Sequence, residues 1–258
     1  MRVLICDDMF PAMIEVVNRM LPEDDVHVCR QAEVGAEASW AEVLIPAMAG
    51  INSEIINSAP DLLLIQQFGV GLEGGDIPAA TARGIPVANV PGHQAPIHAE
   101  CTAEGGVFLM MACARLFKTA QKRLAQGEWG RPRGEALINL TALIIGLGAV
   151  GRALARRLVA LGMNVMATDA TPDTSLAEEM GLSRIAGPDS LGEMLPFADF
   201  VISSVTLMPQ TRGMLNHSVF KRMKSTAYVI NISRGPIVDE GDLLSAVNSG
   251  TIAGAGLD

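Results

Sequence analysis

Nine short apolar runs, spaced along the chain with helical stretches between them, constrain the fold more than any other feature. They read "RVLIC" (2–6), "EVLIP" (42–46), "DLLLI" (61–65), "IPVAN" (85–89), "ALIIG" (142–146), "NVMAT" (164–168), "DFVIS" (199–203), "AYVIN" (227–231) and "IAGAG" (252–256). Strands that are apolar on both faces need cover on both faces, which a parallel sheet flanked by helices provides. Strands alternating with helices specify a doubly wound α/β architecture. Four runs precede a long helical stretch at about 96–126 and five follow it. This predicts two α/β units, roughly 1–98 and 99–258, joined by a helix rather than by a flexible Gly/Ser linker.

Composition narrows the function classes. With 258 residues, 49% hydrophobic and 18% charged, the chain has ample material for buried cores. Its formal net charge of −9 repels phosphate backbones, so nucleic acid is excluded as a partner. The N-terminal "MRVLICDD" is too short in apolar residues for a secretory signal. "VFLMMACA" (107–114), the longest apolar stretch, falls well short of the ~20 residues of a membrane span. The expectation is a cytoplasmic protein that does not enter a membrane. Cys6, Cys29, Cys101 and Cys113 form no C-x-x-C pair and have no histidine cluster beside them. They read as small buried thiols, with no metal site and no disulfide framework. The 14 methionines read as core filling.

The strongest local motif is "ALIIGLGAVGRALARRLVALG". An apolar strand runs into Gly146-x-Gly148-x-x-Gly151, and a helix follows with Leu154, Leu158 and Leu161 on one face. Gly146 permits a tight turn, Gly148 lets backbone approach a pyrophosphate, and Gly151 lets helix and strand pack closely. The helix N-terminus offers N–H groups to the phosphates. The next strand ends at Asp169, where a carboxylate can accept from both ribose hydroxyls and would repel a 2′-phosphate. The cofactor expected is therefore NAD rather than NADP.

A second stretch, "AYVINISRGPIVDEGDLLSAV" (227–247), delivers Ser233 and Arg234 to the C-terminal end of a strand, the edge where open α/β sheets bind ligands. Arg234 can hold a carboxylate bidentately there. Asp239 and Glu240 open the following helix, where negative charge suits the dipole.

"NISRGPIVDE" closely resembles the signature of the D-isomer-specific 2-hydroxyacid dehydrogenases. "FGVGLEGGDIPAATARGIPVANVPG" (68–92), "GEWGRPRGEAL" (127–137), "IGLGAVG", "MPQTRGMLN" (208–216) and "AGAGLD" resemble other segments of that family in the same order, over about residues 60–258. The resemblance implies two Rossmann-like domains, a flavodoxin-like catalytic domain and a NAD-binding Rossmann domain, with the active cleft between them. It implies hydride transfer between NAD(H) and a small 2-hydroxy or 2-oxo acid of D configuration, and a homodimer. Residue by residue, Arg234 matches the catalytic arginine that binds the substrate carboxylate and polarises the 2-oxo group. Val70 and Gly71 match the loop that cups that carboxylate. Ala149, Val150, Asp169, Val205, Ile232 and Ser233 match cofactor contacts, as does His98, and Asp258 matches the aspartate that holds the nicotinamide carboxamide.

In the family a glutamate follows that aspartate, and the acid–base histidine comes some thirty positions later. "GAGLD" therefore reads as the cut end of a longer protein, with the NAD-binding domain incomplete and the helix that returns to the first domain absent. By itself this stretch is expected to bind NAD and to turn over feebly. Gln94 stands where the family has an asparagine, Thr206 where it has a proline, and His98 where it has a smaller residue. His93 and His98 could in principle replace the acid–base, but nothing in the sequence fixes their reach to a substrate. Two other classes share the fold: a NAD-binding regulator without turnover, and an enzyme acting on formate or phosphite.

Overall fold

A computed structural model describes residues 1–72, 74–90 and 96–258. The chain divides into two compact units, 1–95 and 96–258. His93 and Gln94 lie outside the described residues.

The first unit is built on five parallel strands: β1 (Arg2–Ile5), β2 (Asp25–Val28), β3 (Val43–Ile45), β4 (Leu64–Gln66) and β5 (Val87–Ala88), in the order β2-β1-β3-β4-β5. Its helices are α1 (Pro11–Met20), α2 (Val34–Glu37), α3 (Ser53–Ser58) and α4 (Ile77–Ala82). Strand side chains alternate between two cores: Leu4 and Cys6 enter one, Val3 and Ile5 the other. Local chemistry sets the helix starts. The Asn52 side chain accepts from the Ile55 amide, and Asp76 accepts from the Ala79 amide with Pro78 in the first turn. Strand order reverses between β1 and β3, so the loops after those strands diverge at the C-terminal edge.

The second unit begins with α5 (Pro96–Ala114) and α6 (Phe117–Ala125). Six parallel strands follow: β6 (Thr141–Ile145), β7 (Asn164–Thr168), β8 (Arg184–Ala186), β9 (Phe200–Ser203), β10 (Tyr228–Asn231) and β11 (Gly254–Leu257). Between them run α7 (Ala149–Ala160), α8 (Thr174–Glu179), α9 (Leu191–Met194), α10 (His217–Phe220) and α11 (Glu240–Asn248). The order β11-β10-β9-β6-β7-β8 is that of a dinucleotide-binding sheet, with its switch point between β6 and β9. Ala142 and Ile144 pack with α7 on one face, and Leu143 and Ile145 on the other. Leu154 of α7 is wholly buried, so trimming it to alanine would cost about 2–5 kcal/mol. No helix among the described residues is long and apolar enough to cross a membrane.

All nine apolar runs contribute strands, and the structure adds β2 and β8. Both are edge strands with no buried side chain, so neither carries a continuous apolar signal. The single helical stretch expected over 96–126 is two helices, because Leu116 takes a left-handed backbone (φ 49°) and breaks it. The cysteines also differ from expectation: Cys6 and Cys29 are buried, Cys113 is half-buried, and Cys101 is exposed on α5. Burial pushes the Cys29 thiol up to about 11 and Cys6 higher still. An excess of a thiol reagent at mildly alkaline pH should therefore modify Cys101 first and reach Cys6 and Cys29 only on unfolding. Mass-mapped labelling checks this; rapid labelling of Cys6 or Cys29 in the folded protein would contradict the packing of the first unit.

Candidate functional site

The edge of the second sheet where β6 and β9 part carries a cradle made largely of backbone. β6 ends in Gly146, whose φ of 94° only glycine adopts without strain. A Cβ there would also lie 2.8 Å from the Ser204 carbonyl oxygen and 2.8 Å from Val205 Cγ1. Gly151, in the first turn of α7, is tighter still: its Cβ would stand 2.1 Å from the Gly146 carbonyl oxygen. The Ser204 hydroxyl donates to that carbonyl at 2.5 Å, which ties the loop after β9 to the loop after β6. Gly148 is the N-cap of α7 and has no side-chain cap, and a Cβ on it would meet nothing within 4 Å. The first-turn N–H groups of α7, at Ala149 and Val150, therefore open on unfilled space at the positive end of a twelve-residue helix.

Asp169 closes one side of the cradle. It follows β7 and is half-buried. Its Oδ2 accepts from the Leu147 amide at 2.7 Å, and its Oδ1 accepts from the Thr171 amide at 2.9 Å and the Thr171 hydroxyl at 3.3 Å. Burial works against the ionised form, but these donors and the Arg152 charge outweigh it and hold the carboxyl below its ordinary value. The group is an anchored anion, and a carboxylate has acceptor capacity beyond three donors. No cation stands at Ala170 or Thr171 to receive a 2′-phosphate.

A third part of the edge comes from β9, β10 and β11. Asn231, buried at the end of β10, accepts from the Ser203 hydroxyl at 2.6 Å and from the Ser233 amide at 3.0 Å. Its own amide donates to the Arg234 carbonyl at 2.9 Å. This network fixes the backbone that carries Arg234, whose guanidinium is exposed and donates to the Ser233 carbonyl at 2.9 Å. Among the described residues, Ser233 Oγ is the one buried side-chain oxygen without a hydrogen-bond partner. Such an oxygen beside a ligand edge calls for a donor or acceptor from outside. The Asp258 amide donates to the Asn231 carbonyl at 3.0 Å, placing Asp258 on the same edge.

The structure thus gathers Gly146, Gly148, Ala149, Val150, Gly151, Asp169, Val205, Ser233, Arg234 and Asp258 along one sheet edge. The Ile232 side chain is buried and turns the other way, toward Gly106 of α5, so only its backbone faces the edge. His98 lies exposed in the first turn of α5, its carbonyl accepting from the Thr102 hydroxyl. Val70 and Gly71 belong to the first unit, after β4, where the Asn89 amide donates to the Val70 carbonyl at 2.6 Å. Ser203, Ser204 and Asn231 were not singled out in the sequence. Their signal was there: polar residues at the ends of apolar runs, where burial demands a partner. A hollow lined by Arg133, Glu135, Asp199, Thr226 and Tyr228 opens at the opposite, N-terminal edge, far from these groups.

These residues fit a dinucleotide. The capless helix end and Gly148 suit a pyrophosphate, Asp169 a ribose diol, and Val205 and Ser233 the far end of the cofactor. Comparison with known proteins agrees. The family description "D-isomer specific 2-hydroxyacid dehydrogenase, NAD binding domain" matches residues 107–258. The whole chain is 32% identical to a D-3-phosphoglycerate dehydrogenase of Archaeoglobus fulgidus, covering 48% of that protein. It is 35% identical to a glyoxylate reductase of Korarchaeum cryptofilum over 81% of the chain and 62% of the relative. A solved protein of Thermus thermophilus superposes on the full chain with a TM-score of 0.82 at 31% identity, 81% of that structure being covered. The chain thus spans about half the length of the D-3-phosphoglycerate dehydrogenases it matches.

Asp169→Ala should weaken NADH binding about 10- to 100-fold, the worth of hydrogen bonds to a charged group, and narrow the preference for NADH over NADPH. Because the folded Asp169 lies below its ordinary value, its contribution is complete at neutral pH. It is lost only as pH falls through that lowered value. Titration of NADH fluorescence measures both; an unchanged affinity in the variant would remove Asp169 from the site.

Proposed function

The chain belongs to the D-isomer specific 2-hydroxyacid dehydrogenase family, and on that premise we propose that the protein transfers a hydride between NAD(H) and a small D-2-hydroxy or 2-oxo acid. The observation that carries the proposal is Arg234. It stands on the same sheet edge as the glycine loop, on backbone locked by Asn231. NAD, when bound, supplies or accepts the hydride.

The residues of this chain on that edge bind and orient, while the proton that completes reduction of the 2-oxo oxygen has to come from a general acid that none of them supplies. The α7 N-terminus and Gly148 receive the pyrophosphate, and Asp169 orients the ribose. Ser233 and Asp258 stand where the nicotinamide end would be held. Arg234 grips the substrate carboxylate with two parallel N–H donors and leaves positive charge beside the 2-oxo oxygen. That charge favours the hydride-accepting state, in which negative charge gathers on the oxygen. In the first unit the backbone at Val70 and Gly71 cups a carboxylate. The strand order β2-β1-β3-β4-β5 supports reading that unit as a flavodoxin-like substrate domain.

Two further parts of the proposal rest on the second unit and on composition. A homodimer is supported by Phe108, Phe117, Leu124 and Trp129, large apolar side chains exposed on α5, α6 and the segment after α6. A cytoplasmic location is supported by four unpaired cysteines. Relatives carry names for both phosphorylated and unphosphorylated substrates, so the acid's side chain is a separate question.

Replacing the guanidinium tests the reading directly. Arg234→Ala should lower kcat/KM for any 2-oxo acid by about a hundredfold or more while leaving NADH affinity within about twofold. Arg234→Lys should recover part of the loss, since it restores charge without the fork. Steady-state kinetics of the full-length protein read both, and full activity in Arg234→Ala would overturn the assignment.

A further inference from the structure

The net charge of the chain is not shared between its units. Residues 1–90 hold thirteen acidic side chains against four arginines and no lysine, a formal −9. Residues 91–258 hold fifteen acidic and fifteen basic side chains and are neutral. Under the reading above, the acidic part is the one that meets the substrate.

The positions of the four arginines sharpen this. Arg2 starts β1, at the N-terminal edge, and pairs with Asp61 at 2.8 Å. Arg83 precedes β5 and is spent on the carbonyls of Ile56 and Ala59. Arg19 lies in the last turn of α1, which returns to that same N-terminal edge. Only Arg30 follows a strand toward the ligand edge, and it is ion-paired with Glu33 in a capping box. Among the described residues, the C-terminal edge of the first sheet therefore carries no unpaired arginine or lysine. α1 opens on this edge, but Asp7 and Asp8 precede it in the chain.

What the edge does carry is apolar and held in place. Asp7 is fully buried and uses both carboxylate oxygens as a clamp. Oδ1 accepts from the Met9 amide at 2.9 Å, and Oδ2 accepts from the Gln31 side chain at 2.9 Å and the Met48 amide at 3.3 Å. The Gln67 side chain, after β4, donates to the Ala47 carbonyl at 3.0 Å, and Ala47 itself takes a left-handed backbone (φ 51°). The loops after β1, β3 and β4 are thus tied together, and they display Met9, Met48 and Phe68, which are 74%, 64% and 50% exposed. Methionine fills irregular apolar space against a variable ligand.

We infer that the acid this protein takes has an uncharged side chain, carrying neither a phosphate nor a second carboxylate, and that Met9, Met48 and Phe68 form the apolar wall against it. A phosphate needs a fixed cation or a helix N-terminus free of acids. Here it would find neither: Arg30 is paired with Glu33, Asp7 and Asp8 precede α1, and the net charge of the unit is negative. The inference rests on the dehydrogenase reading and specifies its substrate.

The test compares kcat/KM of the full-length protein with NADH for pyruvate, 4-methyl-2-oxopentanoate and 3-phosphohydroxypyruvate. An unphosphorylated acid should be preferred by more than about tenfold. Added salt should raise kcat/KM for the phosphorylated acid relative to the others, because screening relieves repulsion. Met48→Arg should narrow the gap by about tenfold, since it adds a phosphate partner. Preference for 3-phosphohydroxypyruvate would overturn this inference and leave the dehydrogenase reading standing. No reduction of any of the three acids, with NADH still bound, would overturn that reading and this one with it.

Discussion

Gly151 sits so close beneath Gly146 that a methyl group on it would lie 2.1 Å from the Gly146 carbonyl oxygen. Atoms at that distance overlap, and both partners are backbone, so neither can rotate away. This contact brings the first turn of α7 directly under the end of β6, which aims the uncapped N–H groups of the helix past the sheet edge. The Ser204 hydroxyl holds the same carbonyl from the β9 side. Asp169 takes the Leu147 amide from the β7 side. Three strand ends are thereby fixed to one loop, and together they border the open space beyond the α7 N-terminus.

The two units use buried polar side chains in the same way. Asn231 in the second and Asp7 in the first are both sealed from water, and each binds backbone of the loop that presents functional groups. A buried amide or carboxylate is costly unless its partners are in place, so each network favours a single loop conformation. In one unit that conformation presents Arg234. In the other it presents methionines on a strongly acidic body.

Much of this was legible in the sequence because the relevant signals are local and repeated. Parallel strands buried on both faces read as unbroken Val/Ile/Leu runs, and the glycine spacing reports a backbone contact that no other residue permits. β2 and β8 escaped because an edge strand buries little and "DVHV" and "RIA" carry charged or polar side chains. The break at Leu116 escaped because nothing in "CARLFK" signals a left-handed residue. Ser204 and Asn231 were overlooked because a single polar residue at a strand end gains meaning only when its partner, brought from a distant strand, is known. The clamp at Asp7 depends on Gln31 and Met48, 24 and 41 residues away, and no spacing rule joins them.

If Asp169, the glycine loop and Arg234 act together, the C-terminal edge of the second sheet binds cofactor and substrate as one continuous site. A crystal structure of the full-length protein with NADH and oxamate tests it most directly. The ribose hydroxyls should lie on Asp169, the pyrophosphate against the α7 N-terminus at Gly148, and the oxamate carboxylate on Arg234. A cofactor bound with its ribose away from Asp169, or oxamate held without Arg234, would contradict it.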